Sequence, residues 1–437
     1  MALSSPTYNR RVIFSWAFYD FANSSFTTLV VTFIYAAYFA KGIAPDEDLG
    51  AARWSNAVSI TALIVAVLSP YVGAIADRGG YRKRFLLIST VVGVAATSLL
   101  FFPQPGQIFF ALSVFVVANV AFEMGMVFYN AYLPDITPQD QIGKVSGYGW
   151  GLGYIGGLLC LIIALFAFVQ TETPLFGFST ENGANIRATN LLVAVWFALF
   201  AIPIFLWVKD RPAPPLPKGQ SVLRQANRQL VNTFHEIRQQ YRQIFRFLVA
   251  RLIYNDGLIT IFSFGGIYAQ NVFDFELADV IIFGIVLNVA AGLGALAFGF
   301  LDDFLGGKST ILITLAGLFC AGLLAVLTTS RMWFWAAAIV VGILLGPNQS
   351  ASRSLMGRFV PAAKETEFYG FFGFSGKATA FLSPALFGGF TELFGIRAGM
   401  ATVLLFFVVG GILLLRVNEK EGIELAQRPV DLASNGD

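Results

Sequence analysis

The chain has 437 residues, of which 56% are hydrophobic and only 13% are charged, and its mean hydropathy is +0.69. Soluble domains are roughly 45–50% apolar and about 25% charged, so this composition excludes an ordinary soluble protein and indicates a polytopic membrane protein. The net charge of +3 says nothing about nucleic acid, because in such a protein the positions of the charges matter more.

Twelve apolar runs, each close to the roughly 20 residues that cross a bilayer, follow one another along the chain. The first run directly follows the segment MALSSPTYNRR, which has no small-residue cleavage site, so we interpret it as a retained span and not as a signal peptide. The approximate limits of the twelve predicted spans are 13–40, 54–76, 84–102, 107–133, 144–170, 188–208, 247–271, 278–301, 309–329, 332–357, 367–390 and 397–416.

Lys and Arg residues are concentrated in the loops on one side of the predicted bundle. If the N-terminus is cytoplasmic, most of the 29 Lys and Arg residues lie in cytoplasmic segments. The outer loops then hold only Lys41, Arg53, Arg187, Arg331 and Arg397. Because cytoplasmic loops of membrane proteins are enriched in Lys and Arg, we expect both termini to be cytoplasmic.

The stretch GYGWGLGYIGG, residues 147–157, contains the pattern G-x-G-x-x-G of dinucleotide-binding turns. That pattern binds a pyrophosphate only where a strand ends and a helix begins, and here it lies inside the fifth apolar run with no strand before it. Gly149, Gly153 and Gly157 are four residues apart, so on a helix they form one stripe that lets a neighbouring helix approach closely. The sequence therefore predicts a packing seam and no nucleotide cofactor.

A polar linker over residues 209–246 separates two groups of six spans, 1–208 and 247–437. Its apolar residues recur every three or four positions, and its arginines lie off that stripe. This pattern predicts a basic amphipathic helix on the cytoplasmic membrane surface, with contact to a calmodulin-like protein or nucleic acid as the alternative. The apolar positions are Leu223, Ala226, Leu230, Phe234, Ile237, Tyr241 and Ile244.

The two groups of spans carry matching segments at a near-constant offset. GAIADRGGYRKR follows the second span and GFLDDFLGGK follows the eighth, which pairs Asp77 with Asp302. Pro134 likewise matches Pro361. Such offsets predict two six-helix bundles related by duplication, an arrangement that places a substrate site near the midplane between the halves.

These motifs resemble known transporters. GAIADRGGYRKR resembles the G-x-x-x-D-[RK]-x-G-[RK][RK] loop of the major facilitator superfamily, and GFLDDFLGGK resembles its degenerate second copy. The segments WAFYDFANSSF, FYNAYLPDI, VSGYGWGLGYIGG, ARLIYNDGLITIFSFGGIYA, GPNQSASRSLMGRFVP and GFSGKATAFLSP resemble the vacuole-effluxer-like family, which includes a fungal autophagy-related amino-acid effluxer and many bacterial members.

The resemblance implies an all-α membrane protein with twelve helices in two pseudo-symmetric six-helix bundles. It also implies a bacterial cytoplasmic membrane as the location, and a monomer. In that fold, Asp77 caps a neighbouring helix and holds the cytoplasmic side shut in the outward-facing state. The alternative is that the nearby basic residues only anchor the loop on the inside. The predicted cytoplasmic gate consists of Asp77, Arg78, Arg82, Asp302 and Arg353. Arg251, like Arg353, lies near that boundary and is expected to snorkel or to close the gate.

Four ionisable side chains lie inside predicted spans, where such groups are costly and usually functional. They are Asp20, Glu123, Asp256 and Lys377, each ~12–16 Å from the cytoplasmic end of its span at 1.5 Å per residue. With three polar neighbours, Asn23, Asn348 and Gln349, they form the predicted substrate- or proton-binding group. Structural alternatives remain open: Asp20 and Asp256 could brace local backbone, Glu123 could pair within its own bundle, and Lys377 could be the counter-ion of Asp256.

This set of charges suits a small zwitterion, with its carboxylate on Lys377 and its amine on Asp20 or Asp256. Proton coupling would use Asp20, Glu123 or Asp256, because the single histidine, His235, lies in the linker. The sequence thus predicts a secondary transporter of an amino acid or similar metabolite, driven by protons.

A multidrug-type exporter of amphiphiles is the alternative substrate class. The fourth span lacks the arginine of the R-x-x-x-G signature of proton-driven drug exporters, and Tyr154 replaces the proline of their GP-x-x-GG motif. A membrane receptor or scaffold is the alternative of a different class. No nucleophile–base pair or metal-ligand cluster appears among the spans, and Cys160 and Cys320 both lie in apolar runs. We therefore expect no enzyme activity, disulfide, metal, cofactor or nucleic-acid partner; the expected partners are a small substrate, protons and the bilayer.

Overall fold

The computed structural model describes residues 8–210, 222–362 and 364–428, and this part of the chain contains helices and connections but no strand. The first half comprises α1 (Arg10–Ile43), α2 (Glu47–Gly79), α3 (Arg82–Leu99), α4 (Ile108–Asn130), α5 (Ile142–Ala164) and α6 (Ala184–Trp207). The second half comprises α7 (Arg242–Phe273), α8 (Leu277–Leu305), α9 (Gly307–Leu327), α10 (Arg331–Phe359), α11a (Glu365–Lys377) with α11b (Leu382–Phe394), and α12 (Ile396–Leu415). A linker helix (Val222–Gln239) joins the halves, and a tail helix (Glu419–Gln427) follows α12.

Ten helical segments among the described residues are long and apolar enough to cross a membrane. Two predicted spans, the third and the eleventh, are not among these ten. Helix α3 is only 18 residues long and begins with three consecutive cations, Arg82–Lys83–Arg84. The predicted span 367–390 is divided in the structure into two 13-residue helices, α11a and α11b, with a break immediately after Lys377.

The halves meet along two seams, α5 against α8 and α2 against α11a. The start of α1 and the end of α12 lie on the same face of the bundle, which we call the terminal face. At this face α2 and α11a are joined by direct hydrogen bonds, including one that Ser69 Oγ donates to Gly370 O at 3.0 Å. Helix α11b, which lies farther from the terminal face, instead packs on α12 and α7 of its own half.

The glycine-rich stretch is confirmed as a packing seam inside α5. Alternate glycines face different neighbours: Gly149, Gly153 and Gly157 lie against side chains of α1, whereas Gly151 lies against Leu296 of α8. At Gly156 a Cβ would be only 2.2 Å from the backbone oxygen of Phe21. Helix α5 therefore touches α1 and α8 at once, and only small residues allow both contacts.

Replacing Gly156 with alanine is expected to destabilise the protein by about 1–3 kcal/mol, because the contact is with backbone and α1 must move. The midpoint of thermal unfolding in detergent checks this. Gly411→Ala in α12 is the matched control, since an added Cβ there meets open space outside the backbone of its own helix. Equal midpoints for the two variants would contradict the packing role of α5.

The described part of the linker helix packs on the terminal face. Gln229, Thr233 and Ile237, one turn apart, are buried, whereas Phe234 of the predicted apolar stripe is 46% exposed. Gln229 Nε2 donates to Glu367 Oε2 of α11a at 2.7 Å, and Lys364 pairs with Glu236. The buried face thus carries polar contacts to α11a as well as the apolar residue Ile237. The side chains of Leu223 and Ala226 lie outside the described part, and a position on the membrane surface stays a prediction.

The tail helix also belongs to the terminal face. Glu419 accepts hydrogen bonds from the backbone N–H groups of Gly307 (2.9 Å) and Lys308 (3.0 Å) in the first turn of α9. Arg242 at the start of α7 forms an ion pair with Glu421. The hydrogen bond from Arg242 lowers the pKa of the Glu421 carboxyl. The end of the chain therefore ties α9 and α7 together at this face.

Candidate functional site

The first contact between the halves is a carboxylate at the end of α2 that caps α11a. Asp77 accepts hydrogen bonds from the backbone N–H groups of Thr366 (3.1 Å) and Glu367 (2.7 Å). These N–H groups have no partner within their own helix, and the positive end of the helix dipole attracts the negative charge. Asp77 therefore holds the start of α11a against α2.

Arg82, at the start of α3, lies among three carboxylates at the same place. Its guanidinium is 3.3 Å from Asp77, 2.6 Å from Asp135 and 3.1 Å from Glu365, and its Nε donates to Thr366 Oγ1 at 2.8 Å. Because Glu365 and Thr366 belong to the second half, this buried cation joins both halves. The side chain of Arg78, the remaining basic residue of the predicted gate, lies outside the described part of the chain.

The second half repeats this arrangement with Asp303. Its carboxylate accepts hydrogen bonds from the backbone N–H groups of Gly143 (2.7 Å) and Lys144 (3.0 Å) in the first turn of α5. Asp302 instead accepts a hydrogen bond from Ser354 and pairs with Arg358 at 2.6 Å, both on α10 of its own half. The pairing of Asp302 with Asp77 is therefore wrong, because consecutive side chains on a helix point about 100° apart and only Asp303 faces α5.

A buried ion pair joins the halves deeper in the bundle. Arg353 of α10 donates through Nη1 to Asp20 Oδ2 of α1 at 2.8 Å and to Asn130 Oδ1 at 3.3 Å. Its Nε and Nη2 donate to Oγ and O of Ser146 on α5, at 3.0 and 2.7 Å. The side chain of Arg353 is 2% exposed and that of Asp20 is 7% exposed. The guanidinium also lies over three aromatic rings, those of Trp16, Tyr129 and Trp150.

Asp20 was predicted in the binding group and Arg353 in the gate, and the structure brings the two side chains together. Removing one partner of a buried ion pair is strongly destabilising, so each residue constrains the other. In this conformation Asp20 is a contact between the halves and is not free to bind a substrate amine.

The side chains of a second cross-half ion pair are partly exposed. Lys377 Nζ in the last turn of α11a lies 2.6 Å from Glu123 Oε1 of α4, and the two side chains are 31% and 21% exposed. Both structural alternatives for these residues are therefore wrong in this conformation: Glu123 does not pair within its own bundle, and Lys377 is not the counter-ion of Asp256. The sequence predicted that the two charges lie at a similar depth in the membrane, but not that they form an ion pair.

Asp256 of α7 differs from the other three charges. It is buried, it forms no ion pair among the described residues, and its Oδ2 has no hydrogen-bond partner there. Arg251, five residues earlier on α7, is likewise buried and without an ion pair in the described ranges. Its Nη1 donates to Phe372 O at 2.8 Å and to Ser375 Oγ at 2.9 Å of α11a, so Arg251 joins two helices and does not snorkel.

Two of the three predicted neutral members of the binding group, Asn23 and Asn348, form hydrogen bonds within their own halves. Asn23 donates to Met126 Sδ of α4 at 3.1 Å, and Asn348 donates to Thr314 Oγ1 of α9 at 2.9 Å. Both are buried and form packing contacts within their own halves in this conformation, so their role in substrate binding stays a prediction. Gln349 is half-buried. Within the described ranges no group of three or more His, Cys, Asp or Glu side chains could hold a metal ion.

Several residues of these contacts were missed by the sequence analysis: Asp135, Ser146, Asp303, Arg358 and Glu365. Asp135 lies inside the quoted segment FYNAYLPDI, and Asp303 is the second aspartate of GFLDDFLGGK, so a signal was present for both. Ser146 lies inside the quoted segment VSGYGWGLGYIGG, and Arg358 lies inside GPNQSASRSLMGRFVP. Glu365 lies in none of the quoted segments, and its importance depends on which residues face it across the interface.

Comparison with known proteins supports a transporter. A family model described as "Vacuole effluxer Atg22 like" matches residues 55–427. The uncharacterized MFS-type transporter YxiO of Bacillus subtilis (strain 168) is 28% identical over 96% of this chain and 97% of its own length. Autophagy-related protein 22 of Coccidioides immitis (strain RS) is 24% identical over 86% of this chain and 75% of its own. Among solved structures, the major facilitator proton:xylose symporter XylE superposes with a TM-score of 0.71 at 11% identity, covering 94% of this chain and 96% of XylE. This match confirms the predicted major facilitator fold.

Proposed function

The chain belongs to the vacuole effluxer Atg22-like family of major facilitator transporters, and from this premise we propose that it moves a small zwitterionic metabolite, such as an amino acid, by proton-coupled alternating access. Its membership of this family makes it a membrane transporter. The substrate class, the proton coupling and the sidedness are the parts that we propose.

The observation that carries the proposal is the series of opposite charges that meet between the halves. From the terminal face inward, Arg82 pairs with Glu365, Arg353 with Asp20, and Lys377 with Glu123. Buried ion pairs are a poor way to stabilise a helix bundle, and apolar residues would do this at less cost. Contacts that form and break between two halves are, in contrast, what alternating access requires.

The terminal-face contacts act as the gate in this proposal. Asp77 caps α11a and Asp303 caps α5. Arg82 forms an ion pair with Asp77, and Arg358 forms one with Asp303. Both caps must release before the halves can separate at this face. With both termini on the cytoplasmic side of a bacterial cytoplasmic membrane, the described conformation is closed on the inward side. The carrier works as a monomer, since the interface between its own halves encloses the site.

Asp256 is the proposed proton carrier. Asp20 and Glu123 each have a cationic partner, and each would have to break an ion pair to take up a proton. Asp256 has no such partner among the described residues, and burial of an unpaired carboxylate disfavours its charged form. A proton can therefore join or leave Asp256 without disturbing the contacts that close the interface.

Asp256→Asn is expected to abolish the accumulation of substrate that a pH gradient drives. Exchange of the same substrate across the membrane should remain intact. Asparagine resembles the protonated carboxyl, so the variant can change conformation but cannot carry a proton. The measurement uses proteoliposomes with an imposed pH gradient and a panel of labelled neutral amino acids. Asp274→Asn, a loop substitution after α7, is the matched control and should behave as the wild type.

Accumulation that persists unchanged in Asp256→Asn would contradict Asp256 as the proton carrier. Wild-type protein that moves the amino acids without responding to the pH gradient would contradict proton coupling but not the substrate class.

One observation favours a second candidate, an exporter of amphiphiles. The second half contains an apolar cavity away from the terminal face, lined among others by Ile261, Tyr268, Phe283, Leu287, Val341 and Leu404. Such walls suit an apolar group. An exporter of this kind would move amphiphilic dyes and tolerate neutralisation of Lys377, whereas a carrier of zwitterions would not.

A further inference from the structure

We propose that the Glu123–Lys377 ion pair is itself the substrate-binding element, and that a zwitterion replaces it by placing its ammonium on Glu123 and its carboxylate on Lys377. This inference rests on the proposed function and assigns both charged ends of the substrate to two residues on opposite halves. It differs from the expectation drawn from the sequence, in which Asp20 or Asp256 would receive the amine.

Accessibility distinguishes this pair from the other ion pairs between the two six-helix halves. The side chains of Lys377 and Glu123 are 31% and 21% exposed, whereas those of Arg353 and Asp20 are 2% and 7% exposed. Arg82 and Glu365 are also closed off, at 10% and 3%. Of these three cross-half pairs, only Glu123 and Lys377 are therefore exposed enough for a ligand to reach them without first separating the halves.

Charge balance selects a zwitterion. The Glu123–Lys377 pair is electrically neutral, so a ligand that separates its two members must supply one positive and one negative group. A monoanion would compensate Lys377 and leave Glu123 unpaired at the interface, and a monocation would do the opposite. An amino acid satisfies both residues at once, because its ammonium and carboxylate replace the two charges that the pair loses.

The position of the pair links binding to conformational change. Glu123 lies on α4 of the first half, and Lys377 is the last residue of α11a in the second half. A substrate that bridges them keeps the halves tied together while the direct ion pair is broken. Asp20 is already paired with Arg353, and Asp256 is almost fully buried, so neither offers an accessible carboxylate in this conformation.

The test measures how ligands stabilise the purified full-length protein in detergent against heat. The probes are alanine, leucine and phenylalanine, each compared with its deaminated carboxylic acid and its decarboxylated amine. For the wild type we expect the amino acid to bind at least ~30-fold more tightly than either analogue, since each analogue leaves one member of the pair without a charged partner.

Single neutral substitutions should change the preferred ligand. In Glu123→Gln the deaminated acid should equal or exceed the amino acid, because Lys377 remains and no carboxylate needs an ammonium. In Lys377→Gln the decarboxylated amine should gain in the same way. The charge-reversed double variant Glu123→Lys with Lys377→Glu restores a neutral pair and should regain the preference for the zwitterion. Lys41→Gln, which neutralises an exposed lysine paired with Glu47, is the control and should match the wild type.

The outcomes separate this proposal from the one on which it rests. If no amino acid stabilises the wild type, the proposed substrate class fails and this site assignment fails with it. If amino acids stabilise the wild type, and both single variants keep the wild-type preference for the zwitterion, only the assignment to Glu123 and Lys377 is overturned. A variant that fails to fold is distinguished by its unfolding midpoint without ligand, and the charge-reversed double variant then decides.

Discussion

Replacing Arg353 with methionine is expected to abolish transport and to lower the free energy of unfolding by about 3–5 kcal/mol, because it leaves Asp20 as an unpaired buried carboxylate. The same change removes the hydrogen bonds to Ser146 and the cation that lies over three aromatic rings. Initial transport rates in proteoliposomes and thermal unfolding in detergent provide the two measurements.

A double substitution separates the effect on stability from the effect on transport. Arg353→Met combined with Asp20→Asn leaves no buried charge, so it should recover most of the lost stability while transport stays absent. Arg353→Lys keeps the charge but not the planar set of donors, and we expect low but measurable transport. Wild-type rates in Arg353→Met would show that this ion pair is not part of the transport cycle.

Neutralising the two helix-capping aspartates is the second substitution with a large expected effect. Asp77→Asn and Asp303→Asn each weaken a cap that one half places on a helix of the other, and a charge at a helix N-terminus contributes about 0.3–1 kcal/mol, or up to ~2 kcal/mol when partly buried. A shift of ~1.4 kcal/mol changes the ratio of closed to open conformers about tenfold. We expect transport to fall by about that factor in each single variant, and further in the double variant, while substrate binding is retained.

Cysteine labelling reports the opening of the terminal face directly. Ser69 is fully buried against Gly370, so a cysteine at position 69 should react with a membrane-impermeant maleimide only when this face opens. Labelling should be faster in the Asp77→Asn background. Asp279→Asn is the matched control, because Asp279 also lies in the first turn of a helix, α8, but hydrogen-bonds within its own half. Faster labelling in Asp279→Asn and not in Asp77→Asn would contradict the gate.

Much of the architecture could be predicted from the sequence, because it depends on composition and periodicity. Apolar runs of membrane-spanning length, repeated motifs and the stripe of Gly149, Gly153 and Gly157 are local patterns, and the structure bears out the helices and the packing of α5. The break between α11a and α11b was not predicted, since the apolar run continues from Lys377 to Leu382 without an intervening charge or proline.

The contacts within the candidate site could be predicted only in part. Counting residues along a span gives the depth of a side chain but not the direction in which it points. Asp20, Glu123 and Lys377 were therefore selected by their depth alone, and the partners Arg353 for Asp20 and Lys377 for Glu123 were not predicted. The exchange of Asp302 for Asp303 has the same cause, since adjacent residues differ little in depth but face different helices.

Counterflow of an amino acid in proteoliposomes tests the central claim most directly, because it requires no knowledge of coupling or direction. Vesicles that contain wild-type protein are loaded with an unlabelled neutral amino acid and diluted into a trace of the labelled one. An amino-acid carrier predicts a transient accumulation of label above equilibrium, absent in Arg353→Met and in protein-free vesicles. Folded wild-type protein that exchanges no amino acid, but exchanges amphiphilic dyes, would contradict it.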